Sequence, residues 1–248
     1  HIIGRLSPKD KFDVVAFDDE VTPFFGTLAP ANDWNREIAL KRTAELESRG
    51  GTNILDALTH SLNELIVSKN GRPQAVVFLT DGQGNNPPEQ VISKVRSQGG
   101  TTRIFSFGAG SGVNRQFLDR LARNNRGMAV FVQQSDRIES AMTRLYDRIA
   151  VPLMLDLEME FEGVQVESVY PKHLPDLYRD GQVVVLGRFN DSGRGRVVVT
   201  GKTRGSIEEI SMDIVLPEEE TRFGYIEKLW AADRIENLMD SIHTRVSG

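Results

Sequence analysis

Two short segments carry residues whose types suit cation chemistry. The first is Gly50-Gly51-Thr52-Asn53-Ile54-Leu55-Asp56-Ala57-Leu58. Its paired glycines let the backbone turn tightly and approach a ligand, and a small hydroxyl residue follows just before a helix. Thr52 is placed to cap that helix, and its oxygen is equally placed to reach a cation. The second is Phe78-Leu79-Thr80-Asp81-Gly82, which sets a carboxylate at the end of an apolar run and follows it with glycine. An Asp-Gly pair alone reads first as a turn. One hydroxyl and one carboxylate from neighbouring loop tips also match what a hard cation such as Mg²⁺ asks of its ligands. Thr52 and Asp81 are therefore the candidate ligands, with Gly51, Asn53 and Gly82 shaping the loops.

The elements that must position these loops alternate along the first 150 residues. Phe12 to Phe17 is a short apolar run, with Thr22 to Leu28 as a hairpin partner through the Asp18-Asp19-Glu20 turn. Ile38–Leu46 has helical spacing, and Leu55, Leu58, Leu62, Leu65 and Ile66 repeat at threes and fours, as an amphipathic helix requires. Ala75 to Leu79 is apolar on both parities, which predicts a strand covered on two faces. Helices are expected around Val91, Ile92 and Val95, around Phe117 to Ala122, and over Ile138 to Ile149. Strands are expected at Ile104 to Phe107 and Ala129 to Val132. His1 to Leu6 reads as the tail of a helix. Such alternation predicts a Rossmann-like, doubly wound α/β sheet that binds at the carboxyl ends of its strands.

The pattern changes at Val151-Pro152. Leu153, Leu155, Leu157, Met159 and Phe161 alternate with mostly polar residues, the period of a half-buried strand. Further strands are expected at Val164 to Tyr170, Gln182 to Phe189, Arg196 to Thr200 and Ile207 to Val215. These predict a small antiparallel β-sandwich over 151–216. A helical segment, 217–248, packs on it, with the stripe around Trp230 as core against the sandwich or the first domain.

Composition narrows the functions. The chain has 248 residues, a net charge of -5 and no cysteine. Scattered basic residues with an acidic balance argue against a nucleic-acid partner. Without cysteine there is neither a thiolate site nor a disulfide framework. No apolar run is long enough to span a membrane. His1, His60, His173 and His243 lack metal-ligand spacing. Ser111, in Gly108-Ala109-Gly110-Ser111-Gly112, matches neither a nucleophile elbow nor a phosphate loop. Glu218-Glu219-Glu220 favours the start of the last helix, and Asn85-Asn86-Pro87-Pro88 shapes the rim of the Asp81 loop, with Pro starting a helix.

Taken together, Gly50-Gly51-Thr52 and Thr80-Asp81-Gly82 resemble two loops of the von Willebrand A family, where they form parts of a metal-ion-dependent adhesion site. Ser7 to Phe17 is similar to the run into that family's second strand. Arg103 to Gly110, with Asn114 and Leu118, is similar to its fifth strand and next helix, and Gly127 precedes its last strand. The likeness covers residues 1–150. Leu174 to Leu186 and Tyr225 to Ala232 are similar to the region after the A domain in inter-alpha-trypsin inhibitor heavy chains and in bacterial proteins of that layout, and the absence of cysteine favours a bacterial homologue.

The resemblance implies a non-enzymatic binding module. A divalent cation, Mg²⁺ first and Mn²⁺ or Ca²⁺ as alternatives, would be completed by a carboxylate from a protein partner. An extracellular or cell-envelope location goes with it. A subunit assisting an ATP-driven or metal-inserting complex, and a purely structural envelope domain, are the alternatives. One departure matters: the family's first strand, with its Asp-x-Ser-x-Ser ligands, has no counterpart here. That strand would lie centrally, between Phe12–Phe17 and Ala75–Leu79. The expectation is an N-terminally truncated fragment with two unpaired strand edges, in which Thr52 and Asp81 alone hold a cation weakly.

Overall fold

A computed structural model describes residues 2–47, 50–67, 72–81, 84–98, 102–133, 138–203, 206–219 and 222–246, without the side chains of 240 and 243–246. The chain divides into two compact units, His1–Asp147 and Arg148–Gly248. The first contains α1 (Ile2–Arg5), β1 (Lys11–Phe12), β2 (Val15–Phe17), β3 (Val21–Pro23), β4 (Ala29–Pro30), α2 (Asp33–Ala44), α3 (Ile54–Val67), β5 (Ala75–Thr80), α4 (Pro88–Ser97), β6 (Arg103–Ala109), α5 (Arg115–Arg123) and β7 (Ala129–Val132); α6 (Ile138–Ile149) runs across the boundary. The second holds β8 (Pro152–Glu162), β9 (Val166–Tyr170), β10 (Leu177–Tyr178), β11 (Leu186–Phe189), β12 (Gly193–Thr203), β13 (Ser206–Leu216) and α7 (Tyr225–Val246).

In the first unit β5, β6 and β7 form a parallel sheet in that order. The fully covered strand is β6: Ile104, Phe105, Ser106 and Phe107 alternate between the faces and all are buried. Ile104 joins Phe78 of β5, Leu58 of α3, Val91 of α4 and Leu118 of α5 in one apolar cluster. Burying a side chain of this size contributes roughly 1.5–3 kcal/mol, so this cluster is what holds the strand ends in place. Pro88 begins α4, as expected, because the missing N–H of a first-turn proline costs nothing there.

Two expectations are corrected. Ala75–Leu79 is not covered on both faces: Ala75 is exposed and Leu79 is 44% exposed. The reason is position, since β5 is the edge of its sheet and pairs only with β6 among the described residues. Nor is Phe12–Phe17 one strand. The Asp13 carboxylate accepts hydrogen bonds from the N–H groups of Val14, Phe24, Phe25 and Gly26, at 2.6, 3.2, 3.0 and 2.9 Å. That local cage breaks the run into β1, paired with β4, and β2, paired with β3. No ladder joins β2 to β5; their link is the Phe17 and Phe78 rings, stacked 5.7 Å apart. Both strands thus keep an unpaired edge among the described residues.

Asp13 also influences α3. Burial and then the Asp13 charge push the Glu64 carboxyl above its ordinary value of 4.5, against an opposing pull from His60, whose Nε2 lies 3.1 Å from Glu64 Oε1. The folded protein therefore binds this proton more tightly than the unfolded chain. Its contribution to stability is present below the ordinary carboxyl value and is lost as pH rises through the raised one. Glu64→Gln should flatten the fall in stability from about pH 4.5 upward, read from denaturant midpoints across pH.

The second unit contains a four-stranded antiparallel sheet, β10-β8-β12-β13, and a two-stranded one, β11-β9. Register shifts between Thr200 and Lys202, where Asp156 adopts φ 52°. This bulge is held by Asp176, whose Oδ1 accepts from the Asp156 N–H at 2.8 Å, and by Lys202, whose Nζ lies 3.0 Å from Asp156 Oδ2. Met154, Leu157 and Leu174 form the core, with Val183, Val185 and Val199 against them. Only 186–189 of the expected 182–189 strand is paired, because Val183 and Val185 turn into this core instead. On α7, the Trp230 Nε1–H donates to Ser168 O at 2.9 Å and its ring meets Tyr170 edge-on at 6.2 Å. Along the rest of its apolar stripe Ile226, Leu229, Ile235, Leu238, Met239 and Ile242 are exposed.

Candidate metal site

The loops after β2, before α3, after β5 and after β6 meet at one edge of the first unit. Their attachment begins with the backbone. The Asn53 N–H donates to Asp18 O at 2.7 Å, tying the Gly-Gly-Thr loop to the β2–β3 turn. The Asn85 N–H donates to Thr52 O at 3.0 Å, tying it to the segment that leaves β5. Asn85 Nδ2 donates to Asp19 Oδ1 at 3.2 Å, and the Leu55 N–H donates to Asn86 Oδ1 at 3.2 Å. Gly112, after β6, packs on the carbonyl of Asp81: a Cβ there would lie 3.5 Å from it.

The helix cap is not the residue expected. Asn53, not Thr52, caps α3: its Oδ1 accepts from the Asp56 N–H at 3.2 Å, and its Nδ2 donates to Asp56 Oδ2 at 2.8 Å. The cap falls on Asn53 because the helix starts at Ile54, which puts Asp56 at its third position. Thr52 is left free of that duty. Its hydroxyl donates to Gly51 O at 2.7 Å, which leaves the oxygen lone pairs for another acceptor role.

Asp81 follows directly on β5 and is exposed, and Thr52 is half-buried. Asn85, the anchor on Thr52, comes four positions after Asp81, so both candidates belong to one loop cluster. Gly51 sits under the Asp19 carboxylate with φ 75°. Gly82 lies outside the described residues. The donors fit a hard cation in kind, being a hydroxyl and a carboxylate beside backbone carbonyls. They do not fill its shell: among the described residues no three His, Cys, Asp or Glu side chains are grouped to hold a metal.

Sequence reasoning missed Asp18 and Asp19 as members of this edge. It treated them as hairpin-turn residues, which they also are, with the Glu20 N–H on Asp18 Oδ1 at 2.8 Å. The only available signal was the run of acids at a strand end, and its contact with Gly51 crosses more than thirty residues.

This α/β unit, with loop tips gathered beyond its parallel strands, is that of the von Willebrand factor type A domain, and the chain belongs to this family, whose model matches residues 1–131. Among solved structures it is similar to a von Willebrand factor type A protein from Catenulispora acidiphila, with a TM-score of 0.65, 17% identity, and coverage of 88% of this chain and 60% of that one. A second fold relative is the ArnB paralog VWA2 from Sulfolobus acidocaldarius, with a TM-score of 0.57 and 16% identity over 99% of this chain and 70% of that one.

Among characterised relatives the chain is similar to inter-alpha-trypsin inhibitor heavy chain H3 of Bos taurus, at 27% identity over 96% of this chain and 29% of that protein. Heavy chain H4 of Homo sapiens is 28% identical over 96% of this chain and 28% of that one. The likeness thus runs through both units, and the chain spans under a third of the length of these relatives. Among the described residues no helix is long and apolar enough to cross a membrane.

Proposed function

We propose that this chain is a non-catalytic, protein-binding module whose affinity depends on a divalent cation at the Thr52–Asp81 edge. The observation that carries the reading is the release of Thr52 from helix capping by Asn53, beside an exposed Asp81. Thr52 and Asp81 would each contact the cation directly or through water. Mg²⁺ is the first choice, because it is content with few protein ligands and keeps several waters. The bound ion would supply a positive centre, on which a partner's carboxylate forms a directional, charge-assisted contact. Remaining protein oxygens would come from an Asp-x-Ser-x-Ser strand seated between β2 and β5. An extracellular or envelope setting, and kinship in role with the heavy chains, belong to the same reading.

The test is calorimetric titration of Mg²⁺ and Mn²⁺ into the chain preceded by such a strand, beside its Asp81→Ala variant. The strand-bearing chain should bind cation, and Asp81→Ala should weaken it by about tenfold, the equivalent of losing one charge-assisted ligand. Equal cation affinity in the two proteins, or none in either, would overturn the proposal.

A further inference from the structure

In the second unit β13 is an edge strand of the four-stranded sheet. It pairs along all eleven residues with β12 and carries no strand on its other side among the described residues. Every second residue therefore presents unused backbone N–H and C=O groups, a template for an added strand. Both its faces are open: Ile210 is 56% and Met212 64% exposed on one, and Glu209, Ser211 and Asp213 are exposed on the other.

The register decides what would fit there. On one face Phe161 and Met159 of β8 pair with Val197 and Val199 of β12, which pair with Met212 and Ile210 of β13. This face is apolar to its edge. On the other face Glu162 pairs with Arg196, and Arg196 with Asp213; Glu158 pairs with Thr200, and Thr200 with Glu209. Arg196 Nε donates to Asp213 Oδ1 at 3.0 Å. Charge across this face therefore runs acidic, basic, acidic, and ends on the acidic strand.

We propose that the free edge of β13 binds an extended segment of a partner protein that is basic where it faces Glu209 and Asp213 and apolar at the residues between. Glu209 and Asp213 are four residues apart, so an antiparallel guest needs the order basic, apolar, any, apolar, basic. Main-chain pairing supplies affinity and the alternating side chains supply selectivity. A second copy of this chain is a poor guest. Its β13 carries Glu208, Glu209 and Asp213 and no basic residue, so no register of β13 on β13 forms an opposite-charge pair.

The experiment uses a capped, fluorescently labelled peptide with lysines four apart and valines between, and a twin with glutamate in place of lysine. Anisotropy should show saturable binding of the lysine peptide, and binding of the glutamate twin weaker by about tenfold, as two cross-strand charge pairs imply. The double variant Glu209→Lys/Asp213→Lys should reverse that preference, and Glu209→Gln, which keeps the Arg196–Asp213 pair, should give an intermediate loss. A chelator should change nothing, which separates this surface from the cation-dependent one. Binding indifferent to peptide charge, an unreversed preference in a double variant with an unchanged circular dichroism spectrum, or sedimentation showing the edge occupied by a second copy would each overturn the proposal.

Discussion

Gly127→Ala should destabilise the first unit by about 3 kcal/mol, the upper end for an added methyl group with no room to relax. A Cβ on Gly127 would stand 1.9 Å from the carbonyl oxygen of Ile104 and 2.6 Å from its carbon. Those are backbone atoms of β6, not a side chain that can swing away. The approach is close because this loop both ends α5 and starts pairing with the sheet. The Gly127 N–H donates to Ala122 O at 3.0 Å, the Ile104 N–H to Asn125 O at 3.2 Å, and the Ser106 N–H to Met128 O at 3.0 Å. Relieving the contact means giving up one of these bonds or shifting the buried strand. The loss should appear as a fall of about 10 °C in Tm for a unit of this size. Gly4→Ala is the control: nothing lies within 4 Å of its added methyl, and an alanine in a helix should be neutral to stabilising. A Gly127→Ala protein within about 1 kcal/mol of its parent would show that the β6 backbone does not press on Gly127.

Gly51→Ala is expected to cost about 2–3 kcal/mol, by two separable routes. Its φ of 75° is the left-handed region, where a Cβ costs roughly 1–2 kcal/mol. The added Cβ would also lie 2.2 Å from Asp19 Oδ1 and 2.3 Å from its Cγ. Asp19 can rotate away, at the loss of its hydrogen bond from Asn85. The double variant with Asp19→Ala removes the second route and leaves the first. The two substitutions should therefore couple by about 1 kcal/mol in a double-mutant cycle of denaturant unfolding. Strict additivity would mean that the Asp19 carboxylate is not above Gly51, and the loop cluster would then lack its clamp. The cycle reads the architecture of the edge without needing a cation, so it stands independently of the proposed binding function.

Much of this protein is written in local pattern. The rhythm of Leu55, Leu58, Leu62 and Leu65 marks α3, and the five buried residues of that helix fall on it (Leu58, Leu62, Leu65) or next to it (Ile54, Ala57). The run Ile104–Phe107 marks the buried strand, and the alternation of Leu153 to Phe161 marks β8. Glycine spacing and the two loop motifs were enough to suggest the family, because those residues answer to short-range backbone geometry. Tertiary structure alone decided the rest. Whether Thr52 or Asn53 caps α3 turns on one residue of helix phase, which propensity does not resolve. Ala75–Leu79 and Ile104–Phe107 are both mostly apolar runs, yet one is an edge and the other a centre, because exposure depends on neighbours chosen across the sheet. Asp19 reaches Gly51, and Asn85 reaches Thr52, over chain separations that no periodicity records. The acidic outer edge of β13 is likewise a product of register: Glu209 and Asp213 share a face with Arg196 only once the strands are paired.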